Sequence, residues 1–268
     1  MSKQKQKKVF SSLGKDLAIL PDNDVETALC NKWKEIPGIR LGRIFSSDCL
    51  AFNDKELLEF WEGCREETTI PEVRGWFQGV YQYQVSGKRL LDIGSGLGID
   101  GIFFAEQGAH VTFSDIISEN LELVRRICRL KQIKADFYLI DKFDRFDFDK
   151  EFDLIMAIGS LHHAPFDFVQ REVAALLPHL IVGGRFMMLS YPKERFDQYQ
   201  KDFGVMDQAD FGKITDGEQT PWAEWYDADK ICSLFGPTCH LNWCRNFGKS
   251  QNDFNWFELT KLREQEQK

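Results

Sequence analysis

Three aspartates, Asp92, Asp115 and Asp141, each stand at the end of a short apolar run, and glycines at alternate positions, Gly94, Gly96 and Gly98, follow the first. A turn through Gly94, Ser95 and Gly96 has no Cβ at its two glycines, so the backbone there can press against a ligand. Carboxylates accept hydrogen bonds from hydroxyl and amino donors, so acidic strand tips beside such a turn suit the binding of a nucleoside. The dinucleotide fingerprint wants glycine at its first, third and sixth positions; here the sixth is Ile99, which argues against NAD. Taken singly, an aspartate after a strand also serves as a helix N-cap.

A second group of residues could move protons. The segment Gly159-Ser160-Leu161-His162-His163-Ala164-Pro165 follows another apolar run. His163 or His162 could deprotonate a hydroxyl near neutral pH, or could instead buttress a bound ligand or cap a helix. Aromatic and charged side chains for holding an acceptor stand at Tyr191, Trp222, Trp225 and Tyr226, with Arg74 and Trp76 on an earlier segment. The two later tryptophans could equally pin their loop to the core.

Parallel strands must carry these groups. The pattern predicts strands at 89–93, 110–114, 137–140, 152–158 and 185–190, with helices over about 99–107, 118–131 and 165–177. Two last strands, about 239–246 and 253–260, read as an antiparallel hairpin after a short helix at 227–235. Alternation of this kind gives an α/β fold with a doubly wound, mostly parallel sheet. Before it, helical stretches are expected at 24–35 and 54–67, and from Pro71 toward Tyr83. The expected organisation is an N-terminal tail and helical cap over 1–85, then one domain over 86–268. Residues 192–226 are polar and aromatic without clean periodicity, and are expected to form an irregular, lid-like insertion.

Composition narrows the class. The 268 residues carry 34 basic and 42 acidic side chains, a net charge of −8, which disfavours nucleic acid as a partner. The one basic cluster, Lys3, Lys5, Lys7 and Lys8, reads as a solvated N-terminus. The seven cysteines show no C-x-x-C pair, so reduced thiols, no metal site and a cytoplasmic location are expected. No apolar stretch is long enough to suggest a membrane span.

Leu91-Asp92-Ile93-Gly94-Ser95-Gly96-Leu97-Gly98, followed by Asp115 and Asp141 at successive strand tips, resembles the first motifs of the class I S-adenosylmethionine-dependent methyltransferases. The resemblance spans roughly residues 70–262 and is closest to the small-molecule type. It implies a Rossmann-like, seven-stranded sheet whose last strand inserts antiparallel, and S-adenosylmethionine as cofactor. It also implies site roles. Asp92, Gly94, Ser95 and Gly96 would order the methionine end, Asp115 and Ile116 the ribose, Asp141 and Lys142 the adenine, and Gly159 the edge of the methyl-transfer pocket. The polar-Pro-Pro-Tyr/Phe motif of adenine and amide methylation is absent after the fourth strand, as is a cysteine pair suited to arsenite or RNA m5C chemistry. The expected activity is methyl transfer to an oxygen or nitrogen of a polar small molecule, such as a sugar, metabolite or secondary-metabolite intermediate. The alternatives are a non-catalytic cofactor-binding partner subunit and a protein or RNA acceptor.

Overall fold

A computed structural model of the chain describes residues 22–37, 42–204 and 206–263. The basic cluster at Lys3–Lys8 lies outside them. The described residues begin with α1 (Asp22–Lys32), a small hairpin of β1 (Glu35–Pro37) and β2 (Arg43–Phe45), then α2 (Ser46–Leu50) and α3 (Asp54–Thr68). A π-helical turn at Pro71–Gly75 leads into α4 (Trp76–Tyr81). The alternating part follows as β3 (Arg89–Ile93), α5 (Ile99–Glu106), β4 (His110–Asp115), α6 (Ser118–Leu130), β5 (Asp136–Leu139), β6 (Phe152–Ile158), α7 (Phe166–Leu176) and β7 (Leu180–Pro192). The remaining elements are α8 (Lys193–Phe203), α9 (Gln208–Asp216), β8 (Trp225–Tyr226), α10 (Ala228–Phe235), β9 (Cys239–Phe247) and β10 (Phe254–Lys261).

The main sheet has the order β5-β4-β3-β6-β7-β10-β9. Pairing is parallel from β5 to β7, and β10 lies antiparallel between β7 and β9. Strand order reverses between β3 and β6, and the crevice outside the carboxyl ends of strands at such a point is where open α/β sheets take ligands. The two-residue side-chain period sorts each central strand onto two cores. Leu91, Ile155, Phe186 and Phe257 face α1, α7 and α10; Leu90, Met156, Met187 and Trp256 face α3, α4 and α6. Both sheet faces are thereby covered, as continuous apolar runs in β6 and β7 require.

The helices before β3 share the second core. Leu57, Trp61, Phe77 and Tyr81 are buried there with the strands, so residues 54–85 and the sheet have one interior. Asn53 and Glu56 form a capping box that starts α3. Arg126 of α6 fastens this region by donating to the Leu50 and Phe52 carbonyls and to Asp54. Phe77 stacks on Trp256 at 4.4 Å, and the Tyr81 hydroxyl donates to Glu258.

Residues 192–226 depart from the expected irregular segment, because α8, α9 and β8 occupy most of it. Phe196 and Tyr199 lie on one face of α8 and pack on Phe211 of α9 at 5.2 and 5.9 Å. Asp207 caps α9 by accepting from the Ala209 and Asp210 amides. A few aromatic contacts hold these helices, and their otherwise polar sequence hides the period. β7 also runs further than expected, because its end gains β8 as a parallel partner at Tyr191 and Pro192.

Trp61 links this packing to the crevice: its Nε1 donates to the Leu97 carbonyl of the glycine turn at 2.8 Å, fully buried. Trp61→Phe strands that carbonyl and is expected to cost about 1–3 kcal/mol, read from the denaturant midpoint at unchanged slope.

Candidate functional site

A cavity of about 420 Å³ opens at the carboxyl ends of the central strands. Its first wall is the glycine turn after β3. Gly94 (φ +66°) approaches the loop after β6 so closely that a Cβ would meet Ser160 Cβ at 2.5 Å. Gly96 (φ +53°) is bent the same way, but a Cβ there would stand in open space. The left-handed conformation at both positions is glycine's. The Ser95 hydroxyl, also lining the cavity, is buried without a hydrogen-bond partner.

Asp115 ends β4 and holds the turn. Its Oδ2 accepts from the Gly96 amide at 2.9 Å, and its Oδ1 from the Ile117 amide at 2.9 Å and Asn120 Nδ2 at 3.1 Å. Burial pushes this carboxyl up to about 6, against the lowering effect of those bonds. Ile116, Ile140 and Phe143 give the cavity apolar sides next to it.

The opposite wall is aromatic. His163 packs against Trp33 at 4.3 Å and against His162 at 4.1 Å, and His162 packs against Tyr191 at 4.4 Å. Neither ring nitrogen of His162 nor Nδ1 of His163 has a hydrogen-bond partner; the Leu189 and Trp222 carbonyls face the two rings at poorer geometry. Burial holds His163 below the usual imidazole range, and burial with the neighbouring His163 holds His162 well below it. Burial thus favours the uncharged form of both rings.

Asp216, at the end of α9, ties this wall together. Its Oδ2 accepts from the Tyr191 hydroxyl and from Thr215 Oγ1, each at 2.8 Å, and its Oδ1 accepts from Arg43 Nη2 at 2.7 Å. Burial alone would raise this carboxyl, but His163, His162, the Tyr191 hydroxyl and Arg43 reverse that and hold it below the ordinary aspartate range. Burial and the Asp216 charge keep the Tyr191 phenol well above its ordinary value, so it stays a donor. Glu172 of α7 also lines the cavity, and burial pushes its carboxyl up to about 8.

The cavity thus collects Gly94, Ser95, Gly96, Asp115 and Ile116 on one side, and Gly159, His162, His163 and Tyr191 on the other; Arg74 lines it too. Arg74 donates to Asp100 at 2.6 Å, beside the helix that follows the glycine turn. Other sequence candidates lie off the walls. Asp92 is buried beneath the turn, where burial and Asp100 raise its carboxyl well above the usual range. Asp141 and Lys142 are exposed, and their neighbours Ile140 and Phe143 line the cavity. Trp76 packs among Trp243, Phe247 and Trp256. Trp222 and Tyr226 belong to the core under α1 and α10. Trp225 lies under Lys230 at 4.0 Å, so these rings pin the segment rather than face the cavity.

Trp33, Arg43, Arg195 and Asp216 line the cavity, yet nothing local in the sequence singles them out. Their shared placement predicts coupling. A double-mutant cycle of Tyr191→Phe and Asp216→Asn, read by chemical denaturation, is expected to give an interaction energy of about 0.5–3 kcal/mol; strict additivity would mean that the 2.8 Å bond carries no weight.

Comparison with known proteins agrees with this architecture. Residues 90–184 match the family model described as a methyltransferase domain. A ubiquinone biosynthesis O-methyltransferase of Rickettsia akari (strain Hartford) is 27% identical over 104 residues, 39% of this chain and 40% of that protein. The chain therefore spans less than half the length of this curated relative. Among solved structures, an S-adenosylmethionine-dependent methyltransferase from Clostridium acetobutylicum ATCC 824 superposes with a TM-score of 0.55 at 12% identity, covering 70% of this chain and 89% of that one. Magnesium protoporphyrin IX methyltransferase from Synechocystis PCC 6803, with bound S-adenosylhomocysteine, gives 0.54 at 15% identity over 74% and 82% of the two chains. Residues 90–184 are a methyltransferase domain, and the chain that carries them has the class I S-adenosylmethionine-dependent methyltransferase fold.

Proposed function

We propose that this protein is an S-adenosylmethionine-dependent methyltransferase acting on a hydroxyl oxygen of a polar small molecule. One observation carries the reading: a single cavity joins the glycine turn and Asp115 to the His162–His163–Tyr191 wall. Its volume, about 420 Å³, falls in the ~300–1,000 Å³ range of small-molecule sites. The O-methyltransferase label of the matched relative supports oxygen as the acceptor atom.

The residues present fit the cofactor. Asp115 has two amides and one side-chain donor on its oxygens, which leaves acceptor capacity for a ribose hydroxyl. The open space over Gly96 and the unpartnered Ser95 hydroxyl suit its amino acid end, with Arg74 available to the carboxylate. Ile116, Ile140 and Phe143 would flank the adenine, and Asp141, next in the chain, would accept from its amino group.

When bound, S-adenosylmethionine supplies an electrophilic methyl group, so the chain's own task is to align an acceptor and remove its proton. Alignment falls to the aromatic wall, which presents rings held by mutual packing. His163 is the better base of the pair, because both rings are lowered by burial and His162 is lowered further by its neighbour. Asp216 would stabilise the imidazolium that forms. Tyr191, committed as a donor, would position the acceptor.

Isothermal titration with S-adenosylmethionine and S-adenosylhomocysteine tests the assignment, followed by release of S-adenosylhomocysteine across acceptors. Binding by the wild type and its loss in Asp115→Ala are expected; an unaffected variant would overturn the site. Turnover that appears only after a second polypeptide is added would favour a partner-subunit role. Affinity should also depend on pH. Below about 6 the free protein protonates Asp115, so affinity falls there, by up to about tenfold per unit. Asp115→Asn is expected to flatten this profile.

A further inference from the structure

Two guanidinium groups line the cavity on the side of Tyr191 and Asp216, and the reaction outlined above uses neither. Arg43 spends Nη2 on Asp216, while its Nη1 is buried with no hydrogen-bond partner. Its Nε stands 4.0 Å from Glu35, whose carboxylate already pairs with Lys32. The Arg43 guanidinium also lies over the Trp33 ring at 5.4 Å, which fixes its plane. A buried guanidinium N–H without an acceptor is uncommon and costly, and a ligand oxygen is the natural remedy.

Arg195 approaches from α8. It lies over the Tyr191 ring at 4.5 Å, and its Nη1 donates to the Asp253 carbonyl at 2.6 Å. The Asp253 carboxylate is turned to Ser250 instead. The carboxylates on this side of the cavity are already engaged. Asp216 is engaged by Tyr191, Thr215 and Arg43, and Glu172, pushed up to about 8 by burial, is mostly uncharged at neutral pH. Glu35, 4.0 Å from Arg43 Nε, and Asp253, lowered in part by the Arg195 charge, complete the set of carboxylates, so what stays open is the Arg43 Nη1 donor.

Resting on the methyltransferase reading, we propose that the acceptor is an anionic small molecule whose carboxylate is bound by Arg43 and Arg195 beside the histidine wall. Guanidinium forks match the planar carboxylate, and stacking on Trp33 and Tyr191 holds both forks in place. An acceptor without a carboxylate would leave Arg43 Nη1 without a partner. Recognition by charge also separates the two ligands of the cavity, since Arg74, by the glycine turn, is on hand for the cofactor.

The test uses the full chain saturated with S-adenosylhomocysteine. It compares the affinities of two acid–amide pairs, 4-hydroxybenzoate with 4-hydroxybenzamide and lactate with lactamide. In at least one pair the acid is expected to bind at least tenfold more tightly than its amide. Arg43→Gln should reduce that preference to threefold or less, and Arg43→Lys should retain part of it. Arg195→Gln provides a second variant should Arg43→Gln fail to fold. S-adenosylhomocysteine affinity should stay within twofold of wild type in each. Acid and amide binding alike, or neither binding to the S-adenosylhomocysteine complex, overturns the proposal and leaves the methyltransferase reading standing. Loss of S-adenosylhomocysteine binding in Arg43→Gln overturns it too, by assigning that guanidinium to the cofactor. Absence of S-adenosylhomocysteine binding by the wild type sinks the cofactor reading and this proposal with it.

Discussion

The carboxylate of Asp115 is the point from which the site is built. It accepts from Gly96 in the turn after β3, from Ile117 at the start of α6 and from Asn120 one turn later. Asn120 in turn accepts from Ser46 of α2 and donates to the Trp33 carbonyl. One buried anion thus joins the glycine turn, two strand ends and the N-terminal hairpin region. Burying a carboxylate is costly, and those hydrogen bonds offset the cost without cancelling it, which leaves the group at about 6. The same incomplete compensation leaves it able to accept one more donor.

The sheet and the glycine-turn wall of the cavity were legible because they repeat a local rule. An apolar run ends near an acidic residue at β3, β4 and β5, a helix follows β3, β4 and β6, and the ends of these strands lie on the same edge of a parallel sheet. Glycine at 94 and 96 announces a bend that other residues would resist, and both positions do take positive φ. The antiparallel C-terminal pair was equally clear, because β9 and β10 are long and joined by a short turn.

The aromatic wall of the cavity was less legible, since no local pattern builds it. Arg43 sits in a three-residue strand, Asp216 ends a helix held by a few aromatic contacts, and Trp33 follows α1 with only packing to mark it. These residues meet through tertiary contacts of 173 positions' separation, as between Arg43 and Asp216. Conspicuous rings misled for the opposite reason. Trp76, Trp222 and Tyr226 are large apolar surfaces, and the core claimed them before the cavity could.

The position of β10 bears on how the chain assembles. β10, the last of the described strands, occupies an inner place between β7 and β9, where Phe77 and Tyr81 meet Trp256 and Glu258. Helices synthesised early therefore wait, with an apolar face uncovered, for a strand synthesised late. Long-range closure of this kind slows folding and lengthens the time for which apolar surface stays uncovered.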